Sequence, residues 1–104
     1  MATSIIQLPN FRGMFTHTVE TVAHNVASGS SASATANITN AGWYPVGIAG
    51  WRVDGTQSST IRVGGFSLNN MSYGSATILM NLYNSGSNTS NGTIYVVVLW
   101  QRIA

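Results

Sequence analysis

Gly42-Trp43-Tyr44-Pro45-Val46-Gly47-Ile48-Ala49-Gly50-Trp51-Arg52-Val53-Asp54-Gly55 holds two of the chain's three tryptophans. Drawn out as a strand, this stretch sends successive side chains to opposite faces, and both faces are apolar. It ends in Asp54-Gly55, a strong short-range turn signal. A strand with one wet face alternates apolar and polar residues, whereas one that is apolar on both faces is covered from both sides. The stretch therefore predicts a central strand of a packed β domain, with its second face against another surface.

The rest of the composition narrows what that surface is. With 104 residues the chain forms one domain rather than two. A chain of this size buries roughly two-thirds of its unfolded surface, enough for a core without covalent staples. Cysteine is absent, so neither a disulfide framework nor a thiolate metal site exists. Only 6% of the residues are charged, against about 25% in an average soluble protein. There is no lysine, and the cations Arg12, Arg52, Arg62 and Arg102 lie far apart in sequence. Nucleic-acid surfaces need clustered cations to neutralise phosphates, so no nucleic-acid partner is expected. A surface this poor in charge keeps its solubility through hydroxyl and amide groups, or is hidden in an oligomer. Both are expected here. The opening Met1 to Gln7 lacks the basic segment and long apolar core of a secretory signal. The apolar run Val96 to Trp100 is far too short to span a bilayer, so no membrane insertion is expected.

Outward from the two-tryptophan stretch, short strand-like runs alternate with turn clusters, the pattern of a sandwich or barrel. Residues 1–14 read as an N-terminal arm, broken by Pro9-Asn10, that ends free or pairs with a neighbouring subunit. Residues 15–104 read as the β domain. Its first run, Thr16 to Ala23, also has helical spacing in Val19, Val22, Ala23 and Val26. Its β-branched Thr and Val residues favour a strand. Ala32, Ala34, Ala36 and Ile38 then alternate strictly with Ser31, Ser33, Thr35, Asn37 and Thr39. Alanine is a poor strand former, so small side chains there imply close approach of a facing sheet or subunit. Thr60 to Leu68 follows, with Gly64-Gly65 marking a bulge. Asn69 to Ser75 reads as a turn. Ala76, Ile78, Met80 and Leu82 define one face of the next strand. A polar loop, Asn84 to Gly92, leads to the last strand, Thr93 to Ile103, with Ile94, Val96, Val98 and Trp100 on one face and Tyr95, Val97, Leu99 and Ile103 on the other. The expected fold is an all-β, single antiparallel β-sandwich, jelly-roll-like, of about six to eight strands and without significant helix.

The chemistry-bearing residues are sparse. His17, Glu20 and His24 form the one metal-like grouping, but on a strand His17 faces away from the other two, and no metal or other cofactor is expected. Asp54, a histidine and a serine compose a triad on paper. No Gly-x-Ser-x-Gly turn presents the serine, however. Glu20 and Asp54 are the only carboxylate side chains, and nothing in their placement indicates a glycosidase pair. Gly47-Ile48-Ala49-Gly50 sits inside a strand pattern and opens no helix, so it is not a phosphate loop. A non-enzymatic protein is expected. Aromatic rings remain as the means of recognition. Trp51 and Trp100 read as core. Trp43 and Tyr44 stand at a strand start and Tyr73 in a turn, so these three are the candidate ligand-binding residues. Arg52 and Asp54 share a strand face and are expected to pair. Sequons at Asn37, Asn70, Asn88 and Asn91 follow from the Asn/Ser/Thr-rich composition.

Several segments together resemble a known module. They are the Val26 to Ser30 strand end, the alternating Ala32 to Thr39, Val46 to Trp51, Phe66-Ser67-Leu68, Asn81 to Ser87, and the closing Tyr95 to Trp100. This pattern, over about four-fifths of the chain, is similar to small β-sandwich modules of phage and prophage tail-appendage, host-adhesion proteins of Gram-positive bacteria. The chain departs from them in having a short arm instead of a long fibre shaft. The resemblance implies a virion-surface location, synthesis in the host cytoplasm, a homo-oligomer with trimer favoured, and adhesion to a cell-surface polysaccharide. It assigns no binding residue. A stand-alone carbohydrate-binding module, or a structural decoration protein without a ligand, would share these sequence features.

Overall fold

The computed structural model describes residues 14–102. The expectation about an arm over residues 1–14 falls, apart from Met14, outside the described residues. Six strands follow in order: β1 (Phe15–Val26), β2 (Ser31–Thr39), β3 (Tyr44–Thr56), β4 (Ile61–Ser72), β5 (Ser75–Asn84) and β6 (Ser90–Gln101). A single 3-10 turn, Ser58–Thr60, stands between β3 and β4. The Thr16 to Val26 region is strand throughout, as its β-branched residues dictate.

The strands form two three-stranded sheets. The first, ordered β1-β6-β3, and the second, ordered β2-β5-β4, are antiparallel throughout. β1 lies alongside β2, and β3 alongside β4, so the layers approach most closely at their edges. This is the expected all-β sandwich. A jelly roll uses eight strands, and the described residues form six.

The core lies between the sheets. Ile78, Met80 and Leu82 of β5 face Ile94, Val96, Val98 and Trp100 of β6, with Val22 and Val26 from β1. All are essentially buried. The Trp100 indole N–H donates to Thr18 Oγ1 at 2.8 Å, which explains a threonine on the inner side of β1. The β2 alanines point into this core, so it is the facing sheet that their small size admits.

Five expectations need correction. Asp54-Gly55, read as a turn, pairs with Thr93 and Gly92 inside β3, which runs on to Thr56, and the loop read over Asn84 to Gly92 shortens to residues 85–89 because β6 begins at Ser90. β6 is central in its sheet, but β3 is an edge strand. Register shifts at Pro45/Gly47 and Ile48/Gly50 interrupt its pairing with β6. Proline lacks the N–H that a central strand needs, and bulges blunt an exposed edge. Trp51, expected in the core, lies opposite buried Val96 yet remains 46% exposed, because no strand flanks β3 on its outer side. The turn expected over Asn69 to Ser75 contracts to Tyr73-Gly74, since β4 runs on to Ser72. Asn70 absorbs the accompanying irregularity at φ 51°, a left-handed conformation that asparagine tolerates better than most residues. The Gly64-Gly65 bulge is present, with the register shifting between Val63 and Gly65.

Candidate functional site

The two outer faces differ in chemistry. On the first sheet, the register sets Val19 of β1, Val97 of β6 and Gly50 of β3 in one row, and His17, Leu99 and Gly47 in the next. Val19 is 58% exposed and Leu99 37%. A Cβ added at Gly47 or Gly50 would meet nothing within 4 Å. Gly50 thus leaves a shallow hollow of about 280 Å³ beside Val97, bounded by Val19, Trp51 and Tyr95. The one cation at its rim is satisfied within the chain. Arg52 lies 3.2 Å from Asp54, as expected, and its guanidinium sits 4.8 Å from the centre of the Tyr95 ring.

The outer face of the second sheet is lined with hydroxyls and amides. The Thr77 hydroxyl donates to Asn37 Oδ1 at 2.9 Å, Ser33 Oγ lies 3.4 Å from Asn81 Oδ1, and Ser72 and Ser75 pair at 2.7 Å. Here a depression of about 390 Å³ opens among Ser31 and Ser33 of β2, Arg62 and Gly64 of β4, and Asn81 and Tyr83 of β5. Register sets Ser31, Tyr83 and Arg62 in a single row across the three strands.

The three candidate aromatics gather at one end of the sandwich. Trp43 is half-buried: it packs against the core, and Arg102 stands over its ring at 5.4 Å. Its carbonyl accepts the Gly74 N–H at 2.7 Å, and the Tyr73 hydroxyl donates to the Gly42 carbonyl at 2.8 Å. These bonds tie the β2–β3 turn to the β4–β5 turn. Tyr73 keeps 52% of its surface exposed. Tyr44 stands half-buried opposite Gln101. The structure thus brings Trp43 and Tyr73 together through the backbone, and no ring contact joins the three among the described residues.

The opposite end is built on polar groups buried for structural reasons. The Asn84 amide donates to Val26 O at 2.9 Å and Asn88 O at 2.8 Å, and its Oδ1 accepts the Gly86 N–H at 2.9 Å. The Thr60 hydroxyl lies 2.8 Å from that same oxygen. Nearby, the Ser90 hydroxyl donates to Thr56 O at 3.0 Å. Its single proton is thereby engaged, so His24 Nε2, 3.0 Å away, donates to Ser90 Oγ. His24 Nδ1 is buried without a hydrogen-bond partner. Burial pushes the His24 pKa below its ordinary 6.5 and keeps the ring neutral. A serine–histidine pair invites comparison with nucleophilic catalysis. In a working triad a carboxylate orients the Nδ1 side, whereas here that nitrogen is orphaned and both side chains are sealed from substrate. His17, Glu20 and His24 do not assemble, and no group of three metal-ligating side chains forms among the described residues.

Comparison with family models, curated proteins and solved structures finds no match to this chain. No helix among the described residues is long and apolar enough to cross a membrane.

The depression on the second sheet escaped a reading from sequence. The alternation of β5 set Asn81 and Tyr83 opposite its core residues and so marked them as outward-facing. The register that brings Arg62, Gly64 and Ser31 beside them spans three strands and leaves no local signal.

Proposed function

We propose that this chain is a non-enzymatic adhesion domain of a phage virion or tail appendage. In this reading it is homo-oligomeric and binds a cell-surface saccharide in several copies at once. The observation that carries the proposal is the contrast between the two outer faces. The first is apolar around Val19, Val97 and Leu99, with its one rim cation already paired. The second presents hydroxyls, amides and an exposed tyrosine. A second copy of the chain fits the first face, because apolar surface gains by burial and no charge there would be stranded. Trimer is the order implied by the tail-appendage resemblance. Sugars fit the second face, which offers ring surface and neutral hydrogen-bonding groups. Copies held together turn weak single sites into useful avidity.

Light scattering and a glycan array test the reading together. The expected result is a particle of three times the 11.0 kDa chain mass that retains bacterial wall polysaccharide. A monomer that binds glycans would instead indicate a stand-alone carbohydrate-binding module. An oligomer silent on every glycan would indicate a structural decoration protein. Detection of the chain in purified phage particles tests the virion location, and its absence from them overturns that part.

A further inference from the structure

We infer that the depression formed by Ser31, Ser33, Arg62, Gly64, Asn81 and Tyr83 is a subsite for an anionic saccharide unit, one carrying a carboxylate or phosphate substituent. The inference rests on the saccharide-binding reading above and names both its place and its ligand class.

Charge is the first argument. In a chain this poor in charge each cation is informative, and the described residues contain three. Arg52 is held by Asp54 and Tyr95, and Arg102 stands over Trp43. Arg62 has no such partner among the described residues. It projects from the outer face of β4 at the wall of the depression, directly opposite Tyr83 in register. An exposed guanidinium with its forked donors free is suited to bidentate capture of a carboxylate or phosphate.

The remaining walls supply what a sugar ring needs. Tyr83, 43% exposed, offers an aromatic face for the apolar side of a pyranose. Asn81 and Ser33 lie within 3.4 Å of each other and present amide and hydroxyl groups suited to ring hydroxyls. Shape completes the case. A Cβ on Gly64 would meet only the Asn81 carbonyl oxygen, at 3.7 Å. The absence of a side chain, and not a backbone requirement, therefore keeps this floor open. The volume of about 390 Å³ falls within the ~300–1,000 Å³ typical of small-ligand sites. The aromatic end around Trp43 is less suited, because that ring is engaged by the core and by Arg102.

The test is an NMR titration of the full-length, isotope-labelled protein with three probes: trigalacturonic acid, glucose 6-phosphate and glucose. The expected result is millimolar binding of one or both anionic probes that moves the Gly64 and Gly65 amides and the Asn81 side-chain amide. Glucose should bind at least tenfold more weakly. The first two arms distinguish a carboxylate from a phosphate ligand. Arg62→Gln should abolish the preference for the anionic probes, and Gly64→Val, which fills the floor, should abolish binding while leaving the remaining spectrum unchanged. Glycan binding that instead shifts Trp43 and Tyr73 would overturn this subsite and leave the adhesion reading standing. Equal binding of glucose, or an Arg62→Gln protein that keeps its preference, would also overturn it. Silence toward these probes and toward the wall-polysaccharide array would overturn both.

Discussion

Trp51 of β3 and Phe66 of β4 meet nearly edge to face, with ring centroids 4.6 Å apart and planes at 62°. The pair joins the edge strand of one sheet to the edge strand of the other, where no hydrogen-bonded ladder connects them. Both rings stay partly exposed, so each contributes less than a core aromatic. A favourable aromatic pair adds about 0.5–1.5 kcal/mol beyond the area it buries. Trp51→Ala and Phe66→Ala are each expected to destabilise the fold by about 1–2 kcal/mol, below the roughly 3–5 kcal/mol of a fully buried aromatic. The double variant should then lose less than the sum of the two. Urea unfolding of all four proteins measures the coupling, and strict additivity would show that the rings act independently.

The strands themselves were legible from the chain. Alternation in Ala32 to Thr39 and Ala76 to Tyr83, and the glycine bulge at 64–65, depend on neighbours in sequence and appear as read. The place of β3 did not, because apolar residues on both faces mark a strand as covered without saying by what. In β3 one side packs on the core, while the bulges and an aromatic from the other sheet manage the edge. The same limit applied to the candidate ligand residues. Trp43 stands beside a turn, which suggested exposure, and its half-buried ring packs against the core with Arg102 over it. Which ring is free is decided by tertiary packing, and Tyr83 owes its setting to partners 21 and 52 positions away (Arg62 and Ser31 by register).

Asn84 is expected to be the most sensitive polar position. It is fully buried, and its side chain holds the end of β1, the β5–β6 loop and Gly86 through hydrogen bonds of 2.8–2.9 Å. Asn84→Asp keeps the shape but replaces the donating amide with an acceptor facing two carbonyls. Leaving buried groups unsatisfied costs about 1–3 kcal/mol each, so a loss of about 3 kcal/mol or more is expected. Thermal or urea unfolding measures it. A loss under about 1 kcal/mol would mean that this end of the sandwich relaxes around the change.

Stability should fall on mild acidification, through His24. The unfolded chain takes up a proton at His24 near its ordinary 6.5, while burial holds the folded-state value lower. Between those two values the unfolded state binds more protons, so the free energy of unfolding rises with pH there. The His24 contribution is therefore complete above about 6.5, declines as the pH falls toward the folded-state value, and is constant below it. In His24→Gln this slope should vanish, whatever the variant's overall stability. Unfolding curves collected from pH 8 to pH 4 decide the matter, and an unchanged slope in the variant would assign the effect to another group.

Val19→Lys separates assembly from folding. Val19 is 58% exposed and faces outward from β1, where the register sets it beside Val97. In an isolated subunit a lysine there would lie in water, and surface substitutions of this kind change stability by only about 0.5 kcal/mol. In an oligomer closed over this face, the same ammonium would be buried without a counter-charge, since Asp54 is already engaged by Arg52. The expected outcome is a folded protein with the 11.0 kDa mass of a single chain. Its adhesion to polysaccharide should be weak, because avidity is lost while each site is intact. Wild-type protein that is itself monomeric, or a Val19→Lys protein that still assembles, would exclude this face as the subunit contact.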